Sequence, residues 1–287
     1  MSSRNNGGIE RAGFLLFVAV ALLPIGASIL YAVAYSLGLA GLLGEGFTLG
    51  HWSRLGEDFE IVRSFAMSIG VALAVVMFSV AVALGLSLAL RRSLRSGGLG
   101  YTIYLPIALP GTVLAFLFFQ ILSGAGLLAR ITAALGIISD PSGFPGLVND
   151  PYGIGIILAE MFVAVPFFTI LFAQLHDAER LPELRGLAES LGAGRMDLLR
   201  RVVVPLLLRR AFPTIILTFI GVLGAYEVPL LLGPSTPQMI SVLTMRKYAR
   251  FDLAQKPEAF ICAILYTALA LALVALAYSR ARKDDEA

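Results

Sequence analysis

Residues 61–90 read IVRSFAMSIGVALAVVMFSVAVALGLSLAL, and this one run excludes most folds open to a chain of 287 residues. A bilayer core of about 30 Å needs roughly 20 apolar residues in a helix to cross it. Five more runs qualify, giving Phe14–Leu37, Ile61–Leu90, Tyr101–Leu122, Tyr152–Leu175, Ala211–Gly233 and Glu258–Ser279. They are too long and continuous for the alternating strands of a barrel. The expected fold class is therefore all-α, a polytopic membrane protein with six transmembrane helices. Composition agrees. Hydrophobic residues make up 58% and charged residues 14%, against roughly 25% charged in an average globular chain, and the mean hydropathy is +0.85. A soluble enzyme, a disordered tail and a disulfide scaffold are excluded. The one cysteine, Cys262, has no partner in the chain, and with only His51 and His176 no Cys/His metal site can be assembled.

Orientation follows from the basic residues. With the N-terminus cytoplasmic, fifteen of the 22 lysines and arginines fall on inner segments. Four of the remainder crowd the last outer loop (Arg246, Lys247, Arg250, Lys256), where the rule pulls the other way. Both termini are expected inside. The net charge of +3 is accounted for by the cytoplasmic rim and calls for no nucleic acid. Three parts are expected. Residues 1–60 form the tail, first span and first outer loop; 61–279 form a core of five spans with a cytoplasmic loop at 176–210; 280–287 form a cytoplasmic tail. An outer segment, Gly124–Ile138, carries Leu127, Leu128, Ile131 and Leu135 in an amphipathic pattern and is expected as a short surface helix.

The inner loop from His176 reads HDAERLPELRGLAESLGAGRMDLLRRVVVPLLLRR to Arg210. A helix can start after Pro182, with Leu184, Leu187, Ala188 and Leu191 on one face. Gly192 and Gly194 then turn a corner, and a second helix, Met196 to Val204, leads to Pro205 at the mouth of span five. A helix, a glycine corner and a return helix make a knob suited to docking on another protein.

This segment resembles the signature loop of the membrane subunits of binding-protein-dependent, type I ATP-binding-cassette importers. That loop has a Glu-Ala-Ala triplet, a glycine four positions after the last alanine, and a hydrophobic-x-Leu-Pro end. Ala188, Gly192, Val202 and Pro205 meet the spacing; Gly186, Leu187 and Val204 depart from the usual glutamate, alanine and leucine. The resemblance implies the type I importer permease fold and a helix inserted into a cleft of a separate ATPase, through Leu184, Gly186, Leu187, Ala188, Leu191, Gly192 and Pro205. It also implies the partners: two ATP-binding-cassette ATPase subunits, a second permease subunit (identical or paralogous), an extracytoplasmic solute-binding protein and membrane lipid, in a bacterial inner membrane. No cofactor belongs to this chain; ATP and Mg would sit on the ATPase. The chain has no G-x-x-x-x-G-K-[ST] loop, and none of Lys247, Lys256 and Lys283 follows a glycine, so it is not expected to be an enzyme.

Charged residues within spans are candidates for function. Glu160 and Glu227 both fall in the outer half of their spans and could converge on one cavity, with Tyr226, Pro166, Phe167 and Phe168 nearby and Gln120 near the outer end of span three. Two acids among aromatics suit a cationic amine. The end of span five, GAYEVPLLLGPSTPQMISVL, is similar to the importer branch that handles polyamines, ferric iron and thiamine, which points to spermidine or putrescine. The structural reading of the same acids is pairing with a neighbouring helix for Glu160 and an interfacial position for Glu227. The alternative function is a proton-coupled secondary transporter using Glu160 and Glu227 as its relay.

Overall fold

The computed structural model describes residues 6–41, 46–55, 59–90, 98–179, 181, 183 and 194–285. Among these the fold is all helical. In chain order the helices are α1 (Asn6–Phe17), α2 (Leu23–Ser36), α3 (Gly50–Leu55), α4 (Phe59–Ala89), α5 (Gly98–Thr102), α6 (Gly111–Leu122) and α7 (Leu127–Ala134). They continue as α8 (Ile154–Ala178), α9 (Arg195–Leu198), α10 (Val204–Leu223), α11 (Glu227–Leu232), α12 (Ile240–Ala249) and α13 (Lys256–Asp285). Six helical stretches of the described residues are long and apolar enough to span a membrane: Glu10–Ser36, Phe59–Ala89, Gly111–Ala134, Ile154–Ala178, Met196–Leu223 and Leu253–Arg282.

Two expected spans are corrected. The third was expected as one helix over Tyr101–Leu122, but a short 3-10 turn, Pro106–Ala108, and an extended step interrupt it. Leu109 takes ψ 128° and Pro110 ψ 145°, because a proline disfavours the helical conformation of the residue before it. The apolar helix restarts at Gly111 and turns through Gly126 into α7. That turn admits only glycine: a Cβ on Gly126 would lie 2.6 Å from the Gln120 carbonyl oxygen. The fifth was expected over Ala211–Gly233. Instead α10 begins earlier, ends at Leu223, and is followed by a break at 224–226 before α11.

The helix expected from Met196 forms, and it runs into α10 through a π-turn, Leu199–Val203. Pro205 explains that turn. It has no N–H to bond back, and its ring would press on the carbonyl of Arg201; the ladder widens, and the Val204 N–H reaches Leu199 O. The same arrangement recurs in the first span, where the π-turn Val18–Leu22 precedes Pro24 and Leu23 N–H bonds to Val18 O.

The chain divides into two compact units, one of residues 1–61 with Leu243–Ala268, the other of Val62–Val242 with residues 269–287. Thus 243–268 groups with the N-terminal residues. Ion pairs give the physical reason. Arg246 on α12 pairs with Glu60 at the start of α4. Lys247, only 5% exposed, sits 2.7 Å from Glu258 of α13 and 3.9 Å from Glu60. Arg250 donates to Gln255 at 2.5 Å and Lys256 lies over the Tyr248 ring at 5.6 Å. The four basic residues that ran against the orientation rule are therefore all engaged within their own unit. Aromatic contacts tie the same elements together, with Tyr35 and Phe260 centroids 4.4 Å apart.

Candidate functional site

In the larger unit, α11 packs on α6 and α8, and the Pro106–Ala108 turn packs on α8. The two interrupted stretches of backbone therefore border the same helix. Irregular backbone within a membrane persists only where protein or a water-filled cavity satisfies its polar groups. Here the satisfaction is specific: the Ala225 carbonyl in the second break accepts from the Ser241 hydroxyl, and the first N–H of α12, from Ile240, donates to Ser68 Oγ of α4 at 2.8 Å.

The start of α8 is fixed with similar care. Gly153 adopts φ +70°, where a side chain would be strained, and a Cβ there would meet Val71 at 2.9 Å. The buried Asp150 carboxylate accepts from the N–H groups of Tyr152 at 3.0 Å, Ile154 at 2.9 Å and Gly155 at 3.3 Å, satisfying orphan donors of the first turn. Asn149 N–H donates to Leu232 O at 2.8 Å, tying the end of α11 to this corner. Gly155 packs so closely that a Cβ would lie 2.3 Å from Leu147 O.

Two carboxylates project from this frame. Glu160, half-buried, is in the second turn of α8, and Glu227 is the first residue of α11. They lie close enough for the charge of one to act on the other. Glu227 also stands against the start of α6: a Cβ on Gly111 would be 3.4 Å from Glu227 Oε2. Since α6 has no side-chain cap, this carboxylate answers the positive end of the helix dipole. Glu227 itself is exposed.

The other expected path residues divide. Tyr226 precedes Glu227 in the break, half-buried. Phe167 lies two turns beyond Glu160 on the same face of α8 and is 37% exposed. Phe168 is fully buried and stacks on Phe172 at 6.1 Å, so it belongs to the packing and not to a cage around the acids. Gln120 is exposed and stands nine residues beyond Gly111 on α6, on the opposite face. Of the expected coupling residues, Leu184, Gly186, Leu187, Ala188, Leu191 and Gly192 lie outside the described residues, while Pro205 sits in the first turn of α10. The stems of that loop are joined by Arg210 Nε to Glu179 Oε1 at 2.7 Å. Sequence reasoning missed Gly111, Asp150, Ser68 and Ser241. Only the Asp-Pro-Tyr-Gly stretch at 150–153 carried a recognisable turn signal.

The comparisons with known proteins agree with this architecture. The family described as "Binding-protein-dependent transport system inner membrane component" matches residues 81–283. The molybdenum transport system permease protein ModB of Azotobacter vinelandii is 28% identical over 174 residues, 60% of this chain and 72% of that protein. Two solved structures of a bacterial alginate transporter share the fold. One, in complex with an alginate pentasaccharide-bound periplasmic protein, has TM-score 0.69 and 17% identity over 96% of this chain and 93% of its own. The other, described as importing the acidic polysaccharide alginate, has TM-score 0.70 and 18% identity over 96% and 94%. The family membership removes the proton-coupled carrier as an alternative. The chain belongs to the binding-protein-dependent inner membrane component family and is a non-catalytic, multi-pass permease subunit of an ATP-binding-cassette importer.

Proposed function

We propose that this permease encloses a solute path together with a second permease subunit, and that its cargo is a small cation of the spermidine or putrescine kind. An extracytoplasmic solute-binding protein delivers the cargo, and two ATPase subunits, carrying ATP and Mg, dock on the 176–210 loop. Both termini face the cytoplasm. Closure of the ATPases draws the helices around Leu184–Leu191 together, and the paired permeases switch the path from one side to the other.

The observation that carries the cargo assignment is the pair Glu160 and Glu227, like charges within reach of one another beside two helix interruptions. Two carboxylates with no ion pair among the described residues repel each other, and a diamine between them relieves that repulsion; Tyr226 and Phe167 can add cation–π attraction. The relatives' names, molybdenum and alginate, differ from one another, so the cargo is read from the residues of this chain. The test is affinity purification from mild detergent, identification of the chains that come with it, and ATP-dependent uptake of labelled spermidine and putrescine by the reconstituted assembly. Gly192→Asp should leave the assembly hydrolysing ATP without uptake. Uptake that ignores polyamines but carries an oxyanion would overturn the cargo, and a chain that purifies without an ATPase would overturn the assembly.

A further inference from the structure

A second site lies in the smaller unit. Where the first span ends, the chain folds around a cavity of about 230 Å³. Its wall includes Tyr35, Thr48, His51, Arg54, Leu253 and Pro257. At about 30 Å³ per water, that is room for a phosphate group with several waters.

The wall is built, not incidental. Gly38 and Gly41 hold φ +73° and +113°, a region that side chains rarely enter. A Cβ on Gly41 would lie 2.7 Å from the Tyr35 ring, so the glycine lets the ring close one side. Thr48 N–H donates to Leu37 O at 2.9 Å, and Trp52 Nε1 donates to Ser36 Oγ at 3.3 Å. These bonds seat α3 against the end of α2. His51 and Arg54, three apart on α3, then share a face.

The chemistry of the wall is one-sided. Arg54 offers a permanent cation and several donors at the exposed rim. Thr48 Oγ1 already accepts from Gly50 N–H at 3.0 Å, leaving its own proton to donate. Tyr35 adds a hydroxyl. His51 Nδ1 is buried without a partner among the described residues. Among the described residues no aspartate or glutamate lines the cavity. The acid nearest in sequence to Leu253, Asp252, is turned to its own loop, accepting from Ala254 N–H at 3.0 Å and Gln255 Nε2 at 3.1 Å. Among the described residues Arg54 has no ion pair.

We propose that this cavity binds a phosphate-type oxyanion. It stands where the spans Glu10–Ser36 and Leu253–Arg282 terminate, the level of lipid headgroups. Trp52 beside it is of the residue type that favours that level. The same donors would accept a lipid phosphate or a free one, and the cavity shares no residue with the Glu160 and Glu227 pair.

Trp52 is the chain's one tryptophan, so its fluorescence reports on α3 directly. The full chain, purified in a phosphate-free nonionic detergent, is titrated with inorganic phosphate and, separately, with dihexanoyl phosphatidylglycerol. A saturable change with both probes assigns a free oxyanion site; a change with the lipid alone assigns a headgroup site. In either case Arg54→Gln should weaken the response about tenfold, as expected for one charge-assisted bond, and Arg54→Lys should restore most of it. Thr48→Val, which leaves the charge in place, should weaken it by a smaller factor and guards against a folding defect in Arg54→Gln. No saturable change with either probe, or equal responses from wild type and Arg54→Gln, would overturn the proposal.

Discussion

Each unit of this permease holds a cluster of acids, and the two clusters are composed in opposite ways. In the smaller unit Glu60 and Glu258 are matched by Arg246 and Lys247. In the larger, the charge of Glu227 acts on Glu160. A matched cluster is finished chemistry: its charges are mutually satisfied, and its work is to join α4, α12 and α13. A like-charge pair is unfinished, and on the proposed reading its repulsion turns to attraction when the cation cargo enters. On the proposed reading, what distinguishes the structural from the path carboxylates is whether a basic side chain already pairs with them among the described residues.

The comparison can be broken most forcefully at Lys247. Lys247→Met leaves Glu258 without its near cation, and removal of one partner from a buried pair costs on the order of 3 kcal/mol. The thermal unfolding midpoint of the detergent-solubilised chain should fall markedly, with partial recovery in Lys247→Met/Glu258→Gln. An unchanged midpoint would mean that the matched cluster contributes nothing to stability. Next in size is Glu227→Lys, which converts the like-charge pair into an opposed one. Uptake of the proposed cation by the reconstituted transporter should drop about a hundredfold, with a stability loss of no more than about 1 kcal/mol from the changed charge at the start of α6; undiminished uptake would take the pair out of the path. Glu160→Gln or Glu227→Gln, tested singly, should each lower cation uptake about tenfold with little loss of stability. Loss of stability without loss of uptake would move that residue to the structural side of the comparison. The smallest effect is expected at Arg210→Gln. Its bond to Glu179 is matched but half exposed, 43% and 24% by side chain, so the stability change should stay under about 1 kcal/mol.

The six spans were legible because hydrophobic length is a local property. The interruptions were not. A hydropathy reading counts apolar side chains and passes over Leu109 and Pro110 as readily as over leucine. At 224–226 the residues Gly-Ala-Tyr carry no forceful break signal, and the carbonyl freed there is satisfied by Ser241. The excess of cations near residue 250 looked like a conflict in orientation because Arg246's partner, Glu60, is 186 residues away. Convergence of Glu160 and Glu227 could be anticipated from antiparallel spans. The contact of Glu227 with Gly111 could not, since it depends on where α6 restarts.

The π-turn before Pro205 has a consequence for how this subunit could be re-aimed. Each residue added to or removed from a helical turn rotates everything beyond it by about 100°. Leu199–Val203 therefore behaves as a dial between Arg195–Leu198 and the length of α10. Deleting one residue there would swing Arg195–Leu198 to a new bearing while the side chains of α10 kept their places. The bearing of Arg195–Leu198 is thus set by the residue count of one turn, with the sequence of α10 left unchanged.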